Sequence, residues 1–235
     1  MLTILKGYIK EKYQKQGEAY LGLVHRLDRP VGGVMAFART SKAAGRLSEQ
    51  IRERSVEKIY YAVLSGMPPD MSGRLEHRLI KESAGNIVRV HDISGVDTGA
   101  NTGVDTGANT GVDTGANTGA NTGVGMGAAA DITDKNYAAL EYCVLERKEG
   151  MALVSVKLLT GRPHQIRAQF AHVGCPVAGD RKYGKDHAVG GDRQIQPALW
   201  AASFGFRHPV NRSPVVVSAP PPDEYPWKIF NFERK

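Results

Sequence analysis

The stretch HRLDRPVGG, residues 25–33, places an aspartate, Asp28, between two arginines and ahead of a turn shaped by proline and glycine. The apolar run VMAFA follows directly and predicts a strand. A strand after such a turn fixes the backbone around Asp28, and the guanidinium groups of Arg26 and Arg29 favour its ionised form. The pattern indicates one displayed carboxylate, although a surface turn with screened salt bridges has the same local signature.

A second stretch, LLTGRPHQIRAQFAHVGCPVAGDRKYG at 158–184, predicts a helix near 163–173 that starts at a proline after a strand end. The apolar residues that recur at helical spacing and should face a core are Ile166, Phe170 and Val173. His164 and Arg167 share a different side of this helix, where they can point together at an anion. An amphipathic helix with a solvated basic face is the alternative.

Together these stretches resemble the signatures of the RluA family of RNA pseudouridine synthases. The family's HRLD and TGRxHQIR motifs are matched at 25–28 and 160–167, and three further segments follow the family's order. These segments are KIYYA at 58–62, GDRKYG at 179–184, and a closing pattern of Ala201, Phe204, Phe206, His208 and Pro209. The resemblance runs from about residue 21 to about residue 214, and an ordered set of motifs is far more specific than any single one.

The order of predicted elements is that of an α+β protein with a bent, mixed or mainly antiparallel sheet and flanking helices. Helices are predicted near 2–15, 41–54 and 163–173. Strands are predicted near 33–39, 57–65, 74–80, 86–91, 137–146, 151–159, 198–206 and 214–218. The resemblance implies the pseudouridine synthase fold, with the active site in a central cleft. We therefore expect residues 1–235 to form a single catalytic domain.

An insertion at 95–127 interrupts this pattern with the repeat GVDTGANT, written at 95–102, 103–110 and 111–118. Its residues offer too little apolar surface to offset the entropy of ordering, so it is predicted to be a disordered loop. A calcium-binding β-roll would need paired glycines and a nine-residue period, which these repeats lack.

The resemblance assigns catalysis to Asp28, Tyr60 and Arg167. In the family the aspartate is the catalytic carboxylate, and whether it attacks the base, attacks the sugar or removes a sugar proton is open. The family's arginine forms an ion pair with this aspartate, and its tyrosine stacks on the target uracil. For Arg167 an RNA-phosphate contact or plain surface charge is the alternative. The reaction needs no redox change or energy input, so no cofactor is expected.

RNA contacts are predicted for Arg26, Arg29, Arg162 and His164. In the family the arginine at the position of Arg26 can occupy the space left by the flipped base. Arg162 and His164 could instead fix their own loop, and Asp180 is interpreted as a turn residue. No metal site is predicted, because the histidines considered for one lack carboxylate or thiolate neighbours in sequence; these are His25, His164 and His172.

The chain carries 31 lysines and arginines against 24 aspartates and glutamates, a formal charge of +7 that favours a polyanionic partner. The expected partner is ribosomal or transfer RNA. Two widely separated cysteines form neither a disulfide framework nor a metal motif, which favours a reducing, cytoplasmic location. No apolar run is long enough to cross a bilayer, and we expect a monomer without an obligate protein partner.

Family members usually begin with strands that carry an asparagine-lysine-proline motif, and this sequence starts without them. An N-terminally truncated product is therefore one expectation, and a catalytically inactive RNA-binding fragment is the alternative function. The presence of Asp28, Tyr60 and Arg167 favours the enzyme. A nucleosidase or glycosidase would need a second catalytic carboxylate, which no motif supplies.

Overall fold

The computed structural model describes residues 1–82, 86–93, 134–184 and 196–232. The helices are α1 (Leu2–Lys12), α2 (Ser41–Arg52) and α3 (Gln165–His172), with a 3₁₀ helix at Trp227–Ile229. The strands are β1 (Gly22–Leu23), β2 (Gly32–Gly33), β3 (Phe37–Ala38), β4 (Glu57–Ser65), β5 (Ser72–Lys81), β6 (Val88–Asp92), β7 (Tyr137–Lys148), β8 (Met151–Leu158), β9 (Leu199–Arg207) and β10 (Pro214–Ser218). The predicted disordered insertion at 95–127 lies outside the described residues.

An eight-stranded sheet has the strand order β10-β9-β4-β8-β7-β5-β6, and β2 is added alongside β9. Every neighbouring pair along this order is antiparallel, whereas β2 runs parallel to β9. Strands β1 and β3 form a separate antiparallel pair. The predicted α+β class with a mixed, mainly antiparallel sheet is therefore confirmed.

The main core lies on the central strands β4, β7 and β8. Its fully buried side chains include Val63, Leu64, Leu140, Leu153, Val154 and Val156. From α3, Phe170 joins this core and meets the ring of Tyr142 edge to face, with 5.5 Å between the centroids. This contact packs α3 against the sheet and thereby fixes the direction in which the polar side of the helix faces.

The prediction of one strand near 33–39 is wrong. The glycine pair of β2 joins the large sheet, β3 joins β1, and the segment between them belongs to neither sheet. There the backbone N–H of Ala36 donates to Nε2 of His25 at 3.0 Å, a side-chain acceptor that sequence patterns do not reveal. The apolar run is divided because its two ends bind different partners.

Two glycines allow the chain to approach β9 closely. Gly33 has a φ of +121°, and a Cβ there would lie 2.3 Å from the carbonyl oxygen of Ala201. A Cβ on Gly32 would lie 2.3 Å from a ring carbon of Trp200. Only glycine fits both positions, so the turn before them is held against β9.

Each helix is shorter than predicted, and α2 ends at Arg52, two residues before its predicted end. Helix α1 ends at Lys12, and Gln14 beyond it has a left-handed φ of 47°. Helix α3 begins two residues later than predicted, because His164 has a left-handed φ of 54° and cannot continue a helical turn backwards. Among the described residues, no helix combines the length and apolar character needed to span a membrane.

His25 supports the turn from inside the protein. Its ring stacks on Phe204 with 4.6 Å between centroids, and its Nε2 accepts the hydrogen bond from Ala36. Burial, with a smaller effect from the charge of Lys58, lowers the pKa of His25 from 6.5 to about 4. The ring is therefore neutral at physiological pH, as its acceptor role requires.

The free energy of unfolding should fall as the pH drops from about 6.5 to about 4, because the unfolded chain binds a proton at His25 before the folded chain does. The contribution is about 1–2 kcal/mol after solvent screening of this partly exposed ring. Urea unfolding at about pH 7 and about pH 4.5 should show a smaller loss for His25→Gln, which keeps an acceptor, than for wild type. Equal losses in both proteins would contradict this role.

Candidate active site

Asp28 stands in a hydrogen-bonded turn that leads into β2. Its backbone carbonyl accepts a hydrogen bond from the N–H of Val31 at 2.9 Å, and Gly33 anchors the far side of the turn to β9. The Asp28 side chain is 25% exposed, so its carboxylate is partly shielded from solvent but still accessible to a ligand. A rigid backbone therefore presents this group.

Arg167 lies on α3 between two carboxylates. Its Nε and Nη2 donate to the two carboxylate oxygens of Asp180 at 2.7 and 2.8 Å, a bidentate fork. Its Nη1 donates to Oδ2 of Asp28 at 3.4 Å. The shorter pair of bonds fixes the plane of the guanidinium group, and the remaining edge of that plane is turned towards Asp28.

The charge of Arg167 is maintained although its side chain is only 6% exposed. Burial opposes the charge, but the hydrogen bonds and charges of Asp180, and then of Asp28, outweigh it and raise the pKa of Arg167 above its ordinary value. An arginine enclosed in this way cannot reach an RNA phosphate without breaking its bonds to Asp180. The geometry favours the ion-pair interpretation of Arg167 over the phosphate contact.

Asp180 has two roles. Its Oδ1 accepts hydrogen bonds from the backbone N–H groups of Lys182 at 2.9 Å and Tyr183 at 3.3 Å, so it does hold the turn as the sequence suggested. Sequence reasoning missed its second role as the anchor of Arg167. The two residues lie 13 positions apart, and no local spacing rule connects them.

Tyr183 lies beneath the guanidinium group of Arg167, whose Cζ is 5.4 Å from the ring centroid. The Tyr183 hydroxyl accepts a hydrogen bond from the N–H of Val88 at 3.1 Å and lies 2.7 Å from Nδ1 of His164. The hydroxyl oxygen can also accept from Nδ1, so the tautomer of His164 sets which of the two groups donates. Burial lowers the pKa of His164, which favours the neutral ring. The RNA contact proposed for His164 stays a prediction.

Tyr60, on β4, is close enough to Asp28 to feel its charge. Burial, and then the negative charge of Asp28, raise the pKa of Tyr60 to about 12. The phenol is consequently protonated at neutral pH and can donate a hydrogen bond. The next residue, Tyr61, points to the other face of the strand, where its ring lies 5.6 Å from that of Phe232.

Lys58 shares the strand face of Tyr60 and was noted in the sequence only as part of a motif. Burial lowers the pKa of its ammonium group, which nevertheless forms no ion pair or hydrogen bond with any described residue. The ammonium nitrogen lies 3.5 Å from the position that a Cβ on Gly161 would occupy. A partly buried cation without a counter-ion is suited to receive an anionic group of a ligand.

Gln165 and Arg162 fix the loop that precedes α3. The Gln165 Oε1 accepts from the Thr160 hydroxyl at 2.8 Å and from the Arg162 N–H at 3.0 Å. The Arg162 guanidinium donates to the carbonyl of Tyr137 at 2.8 Å and to that of Asp134 at 3.3 Å. Arg162 thus fixes its loop, and the RNA contact predicted for it stays a prediction.

Arg26 and Arg29 are exposed on either side of Asp28. Within the described part of the chain, neither side chain forms a hydrogen bond or an ion pair. Both are therefore free to meet a ligand that approaches Asp28. Nothing in the structure tests the RNA contacts predicted for them.

A cavity of about 270 Å³ opens beside Arg167. Its lining consists of Pro30, Arg167, Gly179, Arg181, Lys182, Gln196 and Pro197. The cationic side chains of Arg167, Arg181 and Lys182 in its lining favour an anionic ligand.

Residues 4–172 match the family model described as RNA pseudouridylate synthase, and the chain belongs to that family. This confirms the resemblance stated from the motifs. The chain is 29% identical over 224 residues to RNA pseudouridine synthase 2, chloroplastic, of Arabidopsis thaliana, covering 86% of this chain and 44% of that protein. It is 28% identical over 208 residues to ribosomal large subunit pseudouridine synthase C of Buchnera aphidicola, covering 86% and 53%.

The chain spans about half the length of the curated relatives it matches. Among solved structures, human RNA pseudouridylate synthase domain containing 4 superposes with a TM-score of 0.68 at 21% identity, over 94% of this chain and 78% of that one. The predicted pseudouridine synthase fold is confirmed.

Asp180→Asn should lower the free energy of unfolding by about 3 kcal/mol, because it removes the carboxylate charge beside the buried Arg167 and leaves one neutral amide oxygen in place of two charged acceptors. The exposed Asp223→Asn is the matched control and should change it by less than about 0.5 kcal/mol. Urea unfolding at neutral pH measures both. A loss for Asp180→Asn no larger than that of the control would show that the fork does not hold Arg167.

Proposed function

We propose that this protein is an RNA pseudouridine synthase that isomerises a specific uridine in ribosomal or transfer RNA and uses no cofactor. The observation that carries the proposal is the carboxylate of Asp28 held 3.4 Å from Arg167, whose orientation Asp180 fixes. Membership of the RNA pseudouridylate synthase family supports it. The name of the Buchnera relative, which refers to the large ribosomal subunit, favours ribosomal RNA.

The reaction breaks the N1–C1′ bond of uridine, turns the uracil over and joins C5 to C1′. The hydrogen on C5 is lost and N1 gains one, so the product is an isomer and no electrons are exchanged with another molecule. Asp28 supplies the carboxylate that attacks the nucleoside or removes its proton. Arg167 balances the charge of Asp28 throughout the reaction.

Tyr60 contributes a flat ring and a proton donor beside Asp28. Because its pKa is raised to about 12, the phenol keeps its proton at physiological pH and acts as a donor, not as a base. Its ring can stack on the uracil and keep the freed base in the cleft.

Positive charge around Asp28 supports RNA binding. The chain carries a formal charge of +7, and Arg26 and Arg29 are exposed next to the candidate catalytic carboxylate. A uridine in folded RNA must leave its stack to reach this carboxylate, at a cost of a few kcal/mol. The resemblance to the family supports a role for Arg26 in filling the space that the base leaves, and phosphate contacts would supply the remaining attraction.

We further propose that the protein acts in the cytoplasm as a monomer, with RNA as its partner. The two cysteines, Cys143 and Cys175, are free thiols, which fits a reducing compartment.

Pseudouridine mapping tests the proposal. Ribosomal and transfer RNA from cells that lack the gene for this chain should have lost a specific pseudouridine, and wild type but not Asp28→Asn should restore it. Equal thermal melting of the two purified proteins confirms that the variant folds. Restoration by Asp28→Asn would remove Asp28 from catalysis, and an unchanged map would favour the inactive RNA-binding alternative.

Lys58→Met should weaken binding of a uridine-containing RNA by about 10- to 100-fold, because a hydrogen bond to a charged group is worth about 1.5–3 kcal/mol. It should also reduce the slope of log affinity against log salt concentration by about 1, the value expected for the loss of one phosphate contact. Lys157→Met is the matched control, since Lys157 is exposed on the neighbouring strand and pairs with Glu57 at 3.5 Å. Equal effects of the two substitutions in filter binding would contradict an anion contact at Lys58.

A further inference from the structure

The face of the β5–β6 hairpin that packs on α3 changes from apolar to polar along its length. Leu79 and Val90 are directly opposite each other and belong to an apolar cluster with α3. The next pair on the same face is His77 opposite Asp92. His172, in the last turn of α3, meets this pair from across the interface.

The three side chains converge through their ligand atoms. Nε2 of His172 lies 3.0 Å from Oδ1 of Asp92, and Nε2 of His77 lies 3.7 Å from the same oxygen. One ligand atom from each residue lies within 4.8 Å of the others. Ligand atoms around a tetrahedral ion with bonds of about 2.0–2.1 Å are about 3.3–3.4 Å apart, between the two measured distances.

We propose that His77, Asp92 and His172 form a binding site for a divalent transition-metal ion, with Zn²⁺ the best fit. Two imidazoles and one carboxylate are a zinc donor set, and water can complete the tetrahedron because Asp92 and His172 are 60% and 34% exposed. The histidine rings meet edge to face at 81°, with centroids 5.0 Å apart, so their nitrogens can converge on one ion. Within the described residues, Asp92 has no lysine or arginine partner that would compete.

Gln169 is the residue that would orient His77. Its side-chain nitrogen lies 2.8 Å from Nδ1 of His77, and its Oε1 is buried without a hydrogen-bond partner. Ligation through Nε2 places the ring proton of His77 on Nδ1, where a metal-bound histidine ordinarily donates to an acceptor. A half-turn of the amide would provide that acceptor, but it would replace the hydrogen bonds of the nitrogen to the carbonyls of Leu75 at 3.2 Å and Ala138 at 3.4 Å with oxygen–oxygen contacts, a cost that the bound ion must offset.

A bound ion would tie the end of β6 to the last turn of α3. Helix α3 carries Arg167, and β6 donates the N–H of Val88 to the Tyr183 hydroxyl. The ion would therefore stabilise a hairpin that supports one wall of the candidate active site. The inference goes beyond the proposed function and does not depend on it, because its readout is metal binding.

Calorimetric titration of ZnCl₂ into the untagged, chelator-treated full chain tests the proposal. One ion should bind per chain, and His172→Gln and Asp92→Asn should each weaken binding by at least about 10- to 100-fold, the range for loss of even an outer-shell partner. His91→Gln is the matched control, because His91 is next to Asp92 but faces the other side of the sheet. Cys143→Ser removes the exposed thiol and should leave the affinity unchanged.

Thermal melting gives a second readout. Zn²⁺ should raise the melting temperature of wild type and His91→Gln but not of His172→Gln or Asp92→Asn, and Mg²⁺ should have no such effect. The proposal is overturned if wild type binds no Zn²⁺. It is equally overturned if His172→Gln and Asp92→Asn bind Zn²⁺ as tightly as wild type, since the ion would then occupy another position.

Discussion

The bidentate hydrogen bonds between Arg167 and Asp180 are the constraint on which the candidate active site depends. They fix the guanidinium plane because two donors meet two acceptors at 2.7 and 2.8 Å inside the protein. Helix α3 cannot shift to relax this geometry, since Phe170 locks it into the core of the sheet. Asp28 therefore meets a cation whose position is set by the fold, not by solvent or by the substrate.

The electrostatics around this pair suit an isomerisation that needs no cofactor. One buried cation faces two carboxylates, while Tyr60 keeps its proton and burial favours the neutral form of His164. Asp28 is the member of the group that a ligand in the cleft can reach, because Asp180 is fully enclosed. The same fold leaves the cation Lys58 without a counter-ion among the described residues, at a place where an anionic substrate can provide one.

Sequence patterns correctly predicted the elements that are defined by their own local residues and not by distant pairing partners. β4 and β10 were predicted at 57–65 and 214–218 and occur there, because alternating side chains and flanking turn residues define a strand locally. The strand predicted near 33–39 was divided, since Gly33 at its start pairs, together with Gly32, with β9 far along the chain. The link between Arg167 and Asp180 and the cluster around His172 were missed for the same reason: only folding brings these residues together.

Arg167, held by its bidentate hydrogen bonds to Asp180, positions Asp28 for the chemical step. Single-turnover release of tritium from RNA that contains [5-³H]uridine measures the chemical step directly, because C5 loses its hydrogen when it joins C1′. Arg167→Lys keeps the charge but not the fork. Arg167→Lys should bind RNA with an affinity close to that of wild type and release tritium about 100-fold or more slowly, the cost of a misplaced reacting group. Release at the wild-type rate by a folded Arg167→Lys protein would show that the bidentate hydrogen bonds do not position Asp28.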